Sequence, residues 1–565
     1  MNYRLWTFLG AIMIMAVYVT AHAVPAKKVR CTLRLGDGST VEATLMGDEN
    51  LHYYLTDDGR ALQEDNRQTR SDGRIDGTCH FTDLDSLRLI HAERFMQRNS
   101  RRLQKGKLRR KALGDECNPT SGSKRGLVIL VNYADREMIY GQQGFDRFFN
   151  QPGFSEYGMK GSVHDYFFDQ SYGQFDLTFD VVGPYTLSKG MAYYGENDAS
   201  GDDMHCGEMV AEACYLADMD VDFSNYDWDG DGFVDQIYMI YAGFGESQGG
   251  GRDTIWPHEW TLSEANEYGD GEGSIQLDGV RIDTYGCSCE LTGRNGSIID
   301  GIGTACHEFS HCLGIPDMYD VLRIADGMVK WDLMDDGCYN GDITGRCPSS
   351  YTSYERIYCG WLEPTVLTTT MTVEQMQPIT SAPEAYLIYN SAYPQEYYLL
   401  ENHQFESWDQ AAYGHGMLIL HVDFDPVAWA GNTVNSDQNH QRMTYIPADN
   451  TISGSSNSMA GDTWPGTKGK TELSATTTPA ATLYNANALG EYFMEHTITD
   501  ITEQDGLISF RFIAHPASTD ALPHETIEPY EPLTPVYDLS GRRMHNATPL
   551  RPGIYITKGR KVVVR

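Results

Sequence analysis

Residues 304–317 read TACHEFSHCLGIPD. On a helix His307 and His311 lie one turn apart, so both imidazoles leave the same face, and two such nitrogens suit Zn2+. Glu308 follows the first of them, where its carboxylate can take a proton from a metal-activated water without itself ligating. A third ligand cannot come from the same helix, so the chain must stop and return. Gly314 tolerates a left-handed exit and Ile315-Pro316-Asp317 follow, which makes Asp317 the third ligand. Asp320 reads as a turn or supporting acid. Glu355 in TSYERIYCGW could serve instead from a later helix, although Thr352 and Glu355 also spell a capping box. Such a site hydrolyses an acyl bond: the metal polarises the carbonyl, Glu308 moves the proton, and a further donor steadies the oxyanion. Tyr339 is the candidate donor by position, with a packed tyrosine as its other reading, and His258 in IWPHEW is a second polar candidate.

A second cation is suggested by DWDGDGFVD at 227–235, where Asp227, Asp229, Asp231 and Asp235 follow EF-hand spacing with Gly232 in the sixth place. The twelfth position is Tyr238 rather than a bidentate glutamate, so a complete EF-hand is excluded. Structural Ca2+ explains four carboxylates that otherwise repel one another, and an acidic turn capping the next strand is the alternative. KWDLMDDG at 330–337 places Met334 in a turn beyond Asp317, as the Met-turn does in the metzincin pattern.

These groups need a scaffold. The chain has 565 residues, 41% of them hydrophobic and 22% charged, enough for several cores. A net charge of −36 speaks against a nucleic-acid partner. The apolar run after Arg4, ending in Ala21-His22-Ala23, reads as a signal peptide over 1–23, and no other segment is apolar and long enough to span a bilayer. Residues 24–122 form a small β-rich leader. It ends in the basic stretch RFMQRNSRRLQKGKLRRK, which reads as a solvated linker or a processing region. Residues 123–364 mix apolar strands (125–133, 174–183, 236–245) with helices, one of them capped by Ser162 and ended near Gly173. Residues 365–513 carry short strands, 514–535 form a Pro-rich acidic linker, and 536–565 a compact β-like tail. The fold class is α+β: a twisted sheet with an active-site helix, then a β-rich domain. The twelve cysteines, all before residue 360, read as bridges or buried apolar side chains.

With GLVILVNY, GSVHDYFFDQSYGQFDLTFDVVGPYTL, YDWDGDGFVDQIYMIYAGFGE, HEFSHCLGIPDMYD, WDLMDDG and GHGMLILHVDFD, the chain resembles the immune inhibitor A-like secreted metalloproteases in their Bacteroidetes form, over most of residues 30–513. The resemblance implies a metzincin-like zinc endopeptidase with a prosegment, in which Asp317 stands where metzincins usually have histidine. It also supports Ca2+ at 227–235. A prosegment thiol (Cys31, Cys79 or Cys117) or aspartate could silence the site, with structural disulfides as the other role for those cysteines. The tail YDLSGRRM…RPGIYITKGRKVVVR resembles sorting domains of type IX secretion, which implies delivery to the cell surface or medium through that machinery. The function expected is a secreted zinc endopeptidase made as a zymogen and acting on extracellular proteins. A surface adhesin with a structural zinc is the alternative, and a zinc hydrolase of non-peptide substrates is a third reading.

Overall fold

The computed structural model describes residues 22–89 and 120–515, apart from 50, 66–67, 70–74, 77, 199–200, 270, 294, 322–324 and 343, with four short strands beyond residue 535. Most of the expected signal peptide, the basic stretch at 94–111, Cys117 and nearly all of the 514–535 linker lie outside the described residues. No helix among the described residues is long and apolar enough to cross a membrane.

Continuous apolar runs become the buried parallel strands of a six-stranded sheet. Gly122–Asn132 lies between Phe175–Thr186 and Ile237–Phe244, and Thr284–Leu291 extends the parallel set. His258–Thr261 then adds antiparallel to Thr284–Leu291, and the two residues His22–Ala23 pair antiparallel on its outer edge. Leu127 to Val131 are wholly buried, as both faces of the sheet are covered.

The helix carrying HEFSH, Ile302–Cys312, packs on one face. Phe309 lies between it and its neighbours, with ring centroids 5.1 Å from Phe167 and 5.6 Å from Phe179. Removing that ring would cost about 3–5 kcal/mol. Phe167 belongs to helix Val163–Gln170, which begins with a capping box between Ser162 and Asp165 and gives way to Gly173 at φ +74°, as its sequence indicates. The opposite face is covered by helix Cys206–Ala217 and the side chains packed around it.

The leader contributes a five-stranded antiparallel meander (Arg30–Arg34, Thr40–Gly47, His52–Thr56, Ala61–Glu64, Cys79–Thr82). Downstream, a five-stranded sheet built around Glu396–His403 and Gly416–Asp423 turns Leu399, Leu418 and Leu420 into the same core that holds Phe309 and Met334. Its other face and the sheet Met371–Met376, Leu507–Ile513, Thr497–Gln504 enclose a separate core.

Candidate metal centre

The helix reaches its functional turn because Gly301 and Gly303, on either side of Ile302 at its start, let other backbone come close. A Cβ on Gly303 would fall 1.8 Å from the Cys338 carbonyl oxygen, so only glycine lets the helix lie against the segment after Met334. At the far end Gly314 takes φ +93° and donates to the His311 carbonyl, and the chain doubles back through Ile315 and Pro316. Asp317 thereby meets the two histidines.

His307 Nε2 and His311 Nε2 are 3.1 Å apart, and Asp317 Oδ1 is 3.2 Å and 3.4 Å from them. A tetrahedral ion with bonds of about 2.0–2.1 Å would hold its ligands roughly 3.3 Å apart. Each outer imidazole nitrogen donates to a backbone carbonyl, His307 Nδ1 to Leu333 at 2.8 Å and His311 Nδ1 to Ile315 at 2.7 Å. The two Nε2 atoms therefore carry lone pairs that face each other, an arrangement that repels unless a cation lies between them. The donor set fits Zn2+. Asn432 orients the carboxylate: its Nδ2 donates to Asp317 Oδ2 at 2.7 Å and its Oδ1 accepts the Asp317 amide at 2.9 Å.

Met334 is wholly buried, next to the Leu333 whose carbonyl holds His307, and its own carbonyl accepts the Met318 amide. Asp320 is not in the ligand cluster; it accepts the Ala325 amide at 2.7 Å in the following turn. Glu355 also stands apart and forms the capping box with Thr352. His258 is buried on the other face of the sheet, which corrects its reading as an oxyanion donor: strand alternation turns it away from His307, His311 and Asp317. Asp227, Asp229 and Asp235 converge as a cation site would require, whereas Asp231 is outside that cluster and accepts the Phe233 amide at 2.9 Å.

A peptide segment lies over the metal cluster. After pairing with the edge strand, Ala23, Val24 and Ala26 are at most 2% exposed. The Ala23 carbonyl accepts from Tyr319 Oη at 2.6 Å, and the Val24 amide donates to Glu308 Oε1 at 2.8 Å. The Val24 carbonyl accepts from the Trp256 indole at 2.9 Å, and that of Pro25 from Tyr339 Oη at 2.5 Å. Lys27 Nζ enters a buried recess, 2.5 Å from Asp300 Oδ1 and 5.2 Å from the Tyr339 ring centre. Burial under this segment pushes the Glu308 carboxyl well above the usual range.

Tyr339 thus contacts the groove, two peptides further along than an oxyanion donor would. Tyr319, Asn432 and Asp300 were not singled out from the sequence. Tyr319 had a signal in its position two residues after Asp317; Asn432, 115 residues from its partner, had none. The eleven described cysteines are buried and no disulfide joins any two of them, so among these the reading as buried side chains holds rather than that as bridges. Cys31 and Cys79 lie in the leader's own core rather than at the metal cluster, because they point into the meander.

Residues 131–361 match the family described as immune inhibitor A peptidase M6, catalytic domain. The chain is 29% identical over 217 residues to the pre-pro-metalloprotease PrtV of Vibrio cholerae serotype O1, covering 34% of this chain and 23% of that protein. It is 27% identical over 274 residues to immune inhibitor A of Bacillus thuringiensis subsp. alesti, covering 40% of this chain and 38% of that protein. The chain therefore spans well under half the length of either relative. The helix, its three converging ligands and the four sheet strands Phe175–Thr186, Ile237–Phe244, His258–Thr261 and Thr284–Leu291 lie within the stretch that matches, so the part of the chain similar to the peptidase M6 catalytic domain is the part that holds the metal cluster.

Proposed function

We propose that the chain is a secreted zinc-dependent endopeptidase made as a zymogen. The observation that carries this reading is the buried convergence of His307, His311 and Asp317 with Glu308 beside them, under a peptide segment whose Val24 nitrogen donates to Glu308. Bound zinc on His307, His311 and Asp317 would supply Lewis acidity and a water acidified to neutral pH. The chain's own residues do the rest. An extended substrate pairs antiparallel with His258–Thr261, as residues 22–23 do. Glu308 accepts the proton of the attacking water and returns it to the leaving nitrogen, the atom it already faces. Tyr319 donates to the carbonyl oxygen as negative charge grows there. Asp300, at the bottom of the recess that takes Lys27, favours a cationic side chain four residues after the one in the place of Ala23.

Latency follows from occupation of the groove by residues 24–28, in place of a prosegment cysteine or aspartate. The relative's name, a pre-pro-metalloprotease, agrees with a leader and a prosegment. Ca2+ at Asp227, Asp229 and Asp235, with Asp231 outside the cluster, would brace the loop before Ile237–Phe244. The terminal strands Val536–Tyr537, Arg543–Met544, Gly553–Thr557 and Arg560–Val564 suit a folded sorting tail that the type IX machinery would read.

The deciding experiment assays the matured protein on an unfolded protein substrate beside Glu308→Ala, with zinc content measured in both. Cleavage by the wild type and a loss of about 10^3–10^4-fold in a variant that keeps its zinc supports the reading. No cleavage by a correctly processed, zinc-loaded wild type overturns it in favour of the adhesin.

A further inference from the structure

The sheet has a second convergent set of ligands on the face turned away from HEFSH. Gly286 marks the active-site side, since a Cβ there would stand 3.8 Å from Glu308 Cβ, so the alternating Cys287 points the other way. His258 lies directly opposite Cys287 in the ladder. Cys206, the first residue of helix Cys206–Ala217, joins them. One ligand atom from each of the three lies within 4.8 Å of the other two, and all three residues are buried.

Two further features complete the set. His258 Nδ1 donates to the Trp256 carbonyl at 2.6 Å, which fixes the tautomer and leaves Nε2 as an acceptor; Tyr285 Oη lies 3.1 Å from it, and a cation at the site would take that lone pair in place of the hydroxyl. Cys206 and His258 line a cavity of about 20 Å3, room for one ion or water, which Asp203 also lines. Asp203 Oδ2 accepts the Trp256 amide at 3.0 Å, whereas its Oδ1 is buried with no hydrogen-bond partner among the described residues. An unpaired carboxylate oxygen in such a place is costly, and a cation would satisfy it.

We propose that Cys206, His258 and Cys287, with Asp203 in the fourth place, bind a thiophilic divalent cation of the zinc class as a structural site. The ion ties helix Cys206–Ala217 to His258–Thr261, the edge on which the groove's peptide lies, and so holds that edge in register. A Cys206–Cys287 disulfide would use neither the imidazole nor the carboxylate. The site is independent of the peptidase reading, because none of its ligands touches the HEFSH cluster.

The test is cobalt substitution of the full-length protein in calcium-containing buffer. The wild type should take up about two cobalt ions and show thiolate-to-cobalt charge-transfer absorption, which the nitrogen and oxygen ligands at His307, His311 and Asp317 cannot produce. His307→Ala should lose one ion and keep the band, and Cys206→Ser should lose the band and keep the other ion. Should Cys206→Ser fail to fold, protection of Cys206 and Cys287 from alkylation in the metal-loaded wild type, lost on chelation, supports the site equally. A folded wild type without the band, a band that survives both Cys206→Ser and Cys287→Ser, or a mapped Cys206–Cys287 disulfide would overturn it.

Discussion

The two faces of the central sheet each gather a set of buried metal-ligating side chains, and they are built in opposite ways. On one face, two of the three ligands come from a single helical turn and the third from the return immediately after it. On the other, Cys206, His258 and Cys287 come from a helix start and two strands, and each is separated from the next by a long run of chain. A site written in local spacing can be read before the fold is known. The second set exists only because strand pairing brings His258 opposite Cys287.

The faces also differ in what surrounds the ligands. The HEFSH face opens on a groove with Glu308, Tyr319 and Asp300 along it, whereas on the opposite face Cys206 and His258 line a cavity of only about 20 Å3, too small for a peptide. Substitutions on the first should therefore change chemistry, and those on the second stability and metal content.

The largest expected effect that sharpens this contrast is Tyr319→Phe. Loss of its hydrogen bond should lower kcat about 10^2–10^3-fold with little change in KM, and stopped assays at saturating substrate would show it. An unchanged kcat would reduce Tyr319 to a packing residue. Next, Asn432→Ala should weaken zinc binding at the HEFSH cluster about 10–100-fold in a chelator competition, while the cobalt–thiolate band stays intact. If both sites weaken together, the faces are not independent. Asp300→Asn should lower kcat/KM about tenfold for peptides with Lys in the matching place and leave peptides with Ala there unaffected. Equal effects on both would deny the recess a role in selection.

The smallest effect concerns pH. His403 lies 2.7 Å from both Asp409 and Glu401 and packs on Trp331, four residues after Gly327 in the segment that leads to Met334. Burial alone would lower its pKa, but the two carboxylates outweigh that and hold it at about 10. The folded state thus binds this proton more tightly than the unfolded one. Its stabilisation is complete below about pH 6.5 and is lost as pH rises through about 10. Melting temperature should fall over that window by a few degrees, and His403→Gln should flatten the slope there. A slope identical in the variant would show that other groups govern it.

Much of the scaffold was readable because it depends on short-range rules. Apolar runs at 125–133 and 236–245 are strands since a sheet covered on both faces leaves no polar side, and Ser162 with Asp165 caps a helix through contacts three residues apart. Asp320 and Glu355 fall into local turn and cap roles that their own neighbours dictate. The cysteines stayed open between bridges and buried apolar side chains because their spacing carries no information on which sulfurs meet, and Cys31 and Cys79 are buried in the meander.

The sequence by itself determined the helix, its two histidines, the glutamate beside the first of them and the return to Asp317, because helical pitch and a left-handed glycine act over a few residues. Only the tertiary structure decided that residues 24–28 fill the groove, that Asn432 steadies Asp317, and that Cys206 meets His258 and Cys287. Each of those contacts joins segments far apart in the chain, and nothing in the local spacing of either partner specifies the other; they are set by sheet order and by which faces the packed layers bury together.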